Sequence, residues 1–187
     1  MPKKVTKKPA QSPTYGSPIE KTIATWPNVS RKEMHWAQGT DKKLVADATQ
    51  RAKNQVFVMA PKLGTRRVIH THRAGKLETT PSVEDIVEFF SNCCRDKSFV
   101  STVVYIVNKH RQIKGILFLK RSRNFDVQKA RAFIEPIQQA LKVDPNRQIP
   151  HKKTLADAKR FGILIKVVPH PDHRYDPVNE MLIKIKK

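Results

Sequence analysis

Two histidines one residue apart, His70-Thr71-His72, and the run Pro81-Ser82-Val83-Glu84-Asp85 are the residues of this chain best suited to chemistry. In a strand, residues i and i+2 point to one face, so both imidazoles of an HxH pair can grip one metal ion. Asp85, one turn into a helix that opens at Ser82, can supply a third, oxygen ligand. Three protein ligands leave one tetrahedral position for water, as a hydrolytic zinc site requires, and zinc lowers the pKa of that water toward about 7. A nearby carboxylate must then take the proton and pass it to a leaving amine. The same residues also have plainer uses. Ser82-x-x-Asp85 suits a helix N-terminus, with Ser as cap and the acid near the positive dipole end, and paired strand histidines often serve only in a core or on a surface.

The elements that must position these residues follow from apolar periodicity. Arg66–His70 reads as a strand, preceded by a strand at Val56–Ala60 and a turn at Lys62–Thr65. A helix is predicted from Ser82 to about Cys94, with Val83, Ile86, Val87, Phe89 and Phe90 inward. Ser101–Asn108 and Ile113–Lys120 form a hairpin around the polar loop Lys109-His110-Arg111-Gln112. Further helices are expected at about Asp126–Lys142 and Leu155–Arg160, and strands at Ile163–Val168 and Met181–Ile185. Upstream, Leu44, Val45, Ala48 and Ala52 suggest a helix from Thr40 or Asp41 to about Lys53. The mixed order of helices and hairpins indicates an α/β or α+β fold.

With its metal motif and hairpin in this order, the chain resembles the JAMM/MPN family of zinc isopeptidases, including its bacterial DNA-repair-associated branch. That family's pattern is an upstream Glu, then His-x-His, ten residues and Asp, with Ser three before the Asp. His70, His72, Ser82 and Asp85 match it in type and order, and Glu33, 37 residues before His70, is the candidate for the upstream Glu, with Gly39-Thr40 following. Twelve residues rather than ten separate His72 from Asp85, and Arg73 stands where proline is common, so Arg73–Thr80 must bulge. The likeness covers about residues 30–122. It implies a cytidine-deaminase-like three-layer fold, with a sheet flanked by helices. It also implies zinc held by His70, His72 and Asp85, Ser82 stabilising the oxyanion, Glu33 as general acid/base, and a peptide or ubiquitin-like substrate. The chain then divides into a basic tail (1–30), the JAMM-like core (31–122) and a basic C-terminal extension (123–187).

Charge distribution adds a second theme. The 187 residues hold 37 Lys and Arg against 16 Asp and Glu, a formal net charge of +21. The excess is +10 over residues 1–67 and +12 over 108–187, while residues 68–107, which carry the motif, sum to −1. Such flanks call for a polyanionic partner, nucleic acid or an acidic assembly. Lys3, Lys4, Lys7 and Lys8 of the tail, Lys120, Arg121 and Arg123 after the hairpin, and Lys152-Lys153 are the candidate contacts. Few aromatics interleave with these bases, so phosphate contact is expected rather than base reading.

Other classes are excluded or set aside. No apolar run approaches the roughly 18 residues of a membrane helix, and MPKKVTKKPAQSP has no apolar segment to make a secretory signal. The adjacent Cys93 and Cys94 suit buried thiols in a reducing compartment, whether cytoplasm, nucleus or the inside of a virion. Ser82 has no GxSxG elbow, and no glycine-rich phosphate loop occurs. His170-Pro171-Asp172-His173 with Asp176 has ligand types, but Pro171, Pro177 and the polar run read as an ordinary loop. Two functions remain: a zinc peptidase or isopeptidase acting near nucleic acid, or a non-catalytic component of a nucleic-acid-containing particle such as a ribosome or virion.

Overall fold

A computed structural model describes Glu20, Lys21, Ile23 and residues 35–39, 44–46, 63–73, 79–110, 112–144 and 147–185. Among the described residues the strands are β1 (His35–Gly39), β2 (Leu44–Ala46), β3 (Thr65–Arg73), β4 (Ser101–Val107), β5 (Ile113–Arg121), β6 (Ile163–Pro169), β7 (His173–Asp176) and β8 (Met181–Lys184). The helices whose bounds are described are α1 (Val83–Arg95), α2 (Val127–Val143) and α3 (His151–Arg160), and Glu20, Lys21 and Ile23 are also helical. The fold is thus mixed α/β. Six strands form one sheet in the order β2-β1-β3-β4-β5-β6, and β7 pairs with β8 in a separate hairpin.

Among the described pairs of the large sheet, only β3 and β4 run parallel. A parallel pair cannot be joined by a tight turn, so the chain must cross a face of the sheet between them, and α1 makes that crossing. Ser82 caps α1, and Val83, Ile86, Phe89, Phe90 and Cys93 recur at helical spacing on its buried side. They meet Val68, Val104, Ile106, Leu117 and Leu119, the residues of β3, β4 and β5 that face the helix. Phe90 lies against Phe89, Phe125 and Phe133 at ring separations of 5.4–5.8 Å, which ties α1 to the start of α2. Ala158 of α3 enters the same core. The opposite face closes around Ile23, Trp36, Ile69, Val103, Tyr105 and Phe118. Every residue of β4 is buried, as befits a strand covered on both faces.

The β4–β5 hairpin, α1 and α2 lie close to where periodicity puts them, with Asp126 accepting from the Gln128 and Lys129 amides as the cap of α2. α3 starts one turn earlier than Leu155. Leu44–Ala46 is a strand paired with β1, not part of a helix. Two of the four positions in that expected stripe, Leu44 and Val45, belong to the strand; the rest of the segment, like the expected strand at Val56–Ala60, lies outside the described residues. His173–Asp176, read as loop, is strand β7. The last 65 residues supply β6 to the main sheet beside β5, and set the β7–β8 hairpin against it.

Candidate metal centre

Alternation along β3 gives the two histidines one face. Val68 belongs to the helix-facing core and Ile69 to the opposite one, so His70 and His72 project toward α1 while the buried Thr71 points away. His70 Nε2 and His72 Nε2 lie 3.2 Å apart. Asp85, on the first turn of α1, puts Oδ1 2.9 Å from His70 Nε2 and 3.4 Å from His72 Nε2. Three donor atoms therefore close a triangle of nearly equal sides. Bonds of about 2.0–2.1 Å to a tetrahedral zinc set its ligand atoms roughly 3.3 Å apart, so the triangle has the size of one tetrahedral face. With neutral imidazoles and an ionised carboxylate, three lone pairs converge on one point. Without a cation, protons on the ring nitrogens must keep them apart.

Asp85 is clamped from its other side. Its Oδ2 accepts the Ser82 amide at 2.7 Å, and the Asp85 amide donates to Ser82 Oγ at 3.1 Å. This is a complete capping box, here built with Asp in the place usually taken by Glu. One residue thus serves both uses that the sequence suggested: Oδ2 caps the helix while Oδ1 faces the histidines. Such a hydrogen bond on the far oxygen is how a ligand carboxylate is usually oriented. Burial alone pushes the Asp85 carboxyl up, yet the hydrogen bond and charge of His70, then those of His72, hold it well below the usual carboxylate range. His70 and Asp85 are each 5% exposed, whereas the His72 side chain keeps 18% of its surface, so the centre opens on the His72 side. Ser82 Oγ uses a lone pair for its cap and retains a hydrogen to donate.

The C-terminal segment reaches this site. Thr79 Oγ1 donates to the Glu180 carbonyl at 2.5 Å and Thr80 Oγ1 to Glu180 Oε2 at 3.1 Å. His151 Nε2, at the start of α3, donates to the Pro81 carbonyl at 2.8 Å. Residues 79–81, which lead into the Ser82 cap, are thereby held by α3 and by the tip of the β7–β8 hairpin. Glu180 has φ of +50°, a left-handed conformation that is uncommon outside glycine and is kept where surroundings enforce it. Sequence reasoning missed Thr79, Thr80, His151 and Glu180, and no local pattern marks them.

Glu33 and Lys3, Lys4, Lys7 and Lys8 lie outside the described residues. The other basic candidates fall into two groups. Lys152 and Lys153 are exposed on the first turn of α3, the end tied to Pro81. Lys120, Arg121 and Arg123 sit at the far end of β5, where the Ser122 amide bonds the Gly162 carbonyl and brings Lys159-Arg160 close in the fold. Arg121 is already engaged, donating to the Lys97 carbonyl at 2.6 Å with its guanidinium over Phe125. The thiol of Cys93 is buried among apolar groups, which pushes its pKa far up, and burial raises Cys94 as well.

No protein-family model, curated protein or solved structure matches this chain. The site therefore stands on its geometry: two imidazoles and a clamped carboxylate that can hold a metal ion.

Proposed function

We propose that the chain carries a JAMM/MPN-like zinc centre for the hydrolysis of peptide or isopeptide bonds. The observation that supports it is the convergence of His70 Nε2, His72 Nε2 and Asp85 Oδ1, with the second Asp85 oxygen fixed in the Ser82 capping box. Zinc bound there supplies the Lewis acidity that amide hydrolysis needs. The remaining work belongs to the chain. His70, His72 and Asp85 hold and orient the ion. Ser82 Oγ, with its hydrogen free of the cap, donates to the substrate carbonyl oxygen as negative charge builds on it. Glu33 takes a proton from the attacking water and returns it to the leaving amine. It precedes by two residues His35, the first residue of β1, whose partner on β3 is His70. Asp41 is equally close to the other end of β1, at Gly39, but Glu33 flanks the end whose register partner is His70.

The test is Glu33→Gln, assayed on peptide and ubiquitin-like substrates with bound zinc measured in parallel. Retained zinc with hydrolysis abolished is the expected result, since only the proton shuttle is lost. Undiminished hydrolysis removes Glu33 from the mechanism.

A second reading, a non-catalytic component of a nucleic-acid-containing particle, is favoured by the basic group at the other end of the sheet. Arg67 stands opposite Ser101, and Ser101 opposite Lys120, whereas His72 lies five residues further along β3. At about 3.3 Å per residue the two regions are separated by roughly 16 Å along the strand. Polyanion binding there does not require the metal centre. No hydrolysis by the wild type, combined with salt-sensitive binding to DNA or RNA, is the outcome that favours this reading.

A further inference from the structure

We propose a second metal site, for a borderline divalent cation such as zinc, in the turn that joins β6 to β7. Its ligands are His170, Asp172 and His173, whose donor atoms lie within 4.8 Å of one another. The turn is held on both sides by backbone bonds. The His170 amide donates to the Lys114 carbonyl at 2.9 Å, the His173 amide closes the turn on the His170 carbonyl at 2.8 Å, and the Ile185 amide donates to the Asp172 carbonyl at 2.8 Å. Pro171 occupies the second position of this four-residue turn, where its fixed φ stiffens the bend. A short contact joins His170 Nδ1 to Asp172 Oδ1, and the rings of His170 and His173 stand 6.3 Å apart, edge to face. The Nδ1 atom of His173 is buried with no hydrogen-bond partner among the described residues. Two imidazoles and one carboxylate again form the donor set, the combination that zinc, nickel and cobalt accept.

This site is the weaker of the two. Its side chains are half-exposed, and the ammonium groups of Lys114 and Lys184 act on His173 through space. A cation there must overcome that repulsion with one carboxylate, whereas Asp85 works in a buried site. Its position gives it a structural role: it lies at the base of the β7–β8 hairpin, whose tip is bonded to Thr79 and Thr80 beside the first centre.

The experiment is a zinc titration of the full chain after chelation and buffer exchange, read with a competing chromophoric chelator. Two equivalents are expected, the second at least tenfold weaker. Asp172→Asn, at a half-exposed side chain, and His173→Gln should each abolish only the weaker equivalent, and His72→Ala only the tighter one. A single equivalent lost in His72→Ala and kept in both turn variants overturns the proposal and leaves the first centre standing. A single equivalent lost in the turn variants but kept in His72→Ala supports the turn site and removes the first. No binding in the wild type overturns both.

Discussion

Leu182 of β8 fills the space that the missing side chain of Gly115 leaves on β5. A Cβ built at Gly115 would come within 2.6 Å of Leu182 Cδ1 and 3.0 Å of the Val168 carbonyl oxygen. Gly115 stands opposite Ile106, and Ile106 opposite His72, so this contact lies two strands from the candidate metal centre. Leu182 is 2% exposed and belongs to the helix-side core, which makes the C-terminal hairpin part of the structure around the site.

Gly115→Ala should therefore destabilise the protein by about 1–3 kcal/mol, the usual cost of overpacking. The rigid Val168 carbonyl prevents relief by side-chain movement alone. Urea denaturation checks this, and Leu182→Ala in the Gly115→Ala background should recover part of the loss, giving a coupling free energy between the two sites. Strict additivity would mean that the two residues do not share this space.

Ser82 has two roles that can be separated. Ser82→Ala should cost about 0.5–2 kcal/mol through loss of the cap, while Ser82→Gly should cost only a few tenths. If the hydroxyl also stabilises an oxyanion, Ser82→Gly should lower kcat by about 10²–10³ with zinc retained. A glycine variant with wild-type kcat would confine Ser82 to capping.

The thiols set an alkaline limit. Burial raises Cys93 and Cys94 in the folded state, whereas in the unfolded chain they ionise near pH 8.5. Above that pH the unfolded state has lost protons that the folded state keeps, so stability falls as pH rises. Below it the contribution is complete. The slope from Cys93 alone approaches about 1.4 kcal/mol per pH unit. Denaturation midpoints from pH 7 to 10 should show it, and Cys93→Ala should flatten it. Unfolding should also be needed for rapid alkylation of Cys93.

The basic flanks predict salt-sensitive binding to DNA or RNA with little sequence preference. Deleting residues 1–12 removes Lys3, Lys4, Lys7 and Lys8. If all four contact phosphates, the log–log salt slope should become shallower by roughly 3–4 units. A salt-insensitive affinity would point to an acidic protein partner instead.

What the sequence made legible was local. The shared face of His70 and His72 follows from strand alternation, and the approach of Ser82 to Asp85 is one helical turn. The apolar spacing from Val127 to Leu141 announces α2, and the polar Lys109–Gln112 run announces the β4–β5 turn. Leu44-Val45 misled because two adjacent apolar residues satisfy a helical stripe and a three-residue strand equally, and pairing with β1 decided the outcome. His173–Asp176 became a strand through pairing with Met181–Lys184, against the local signal of Pro171 and Pro177. The bonds from Thr80 to Glu180 and from His151 to Pro81 span 100 and 70 residues. Contacts at such separations depend on how the whole sheet closes, and no periodicity records them.

If His70, His72 and Asp85 hold a metal ion, zinc per chain reports it. The measurement is made on full-length protein purified without chelator and dialysed, for the wild type and for His72→Ala. Near one tightly held equivalent is expected in the wild type and none at this centre in His72→Ala, with a thermal midpoint that falls when zinc is stripped from the wild type. A wild-type chain free of metal that regains no stability on adding zinc, and melts no differently from His72→Ala, would rule out a metal ion at this centre.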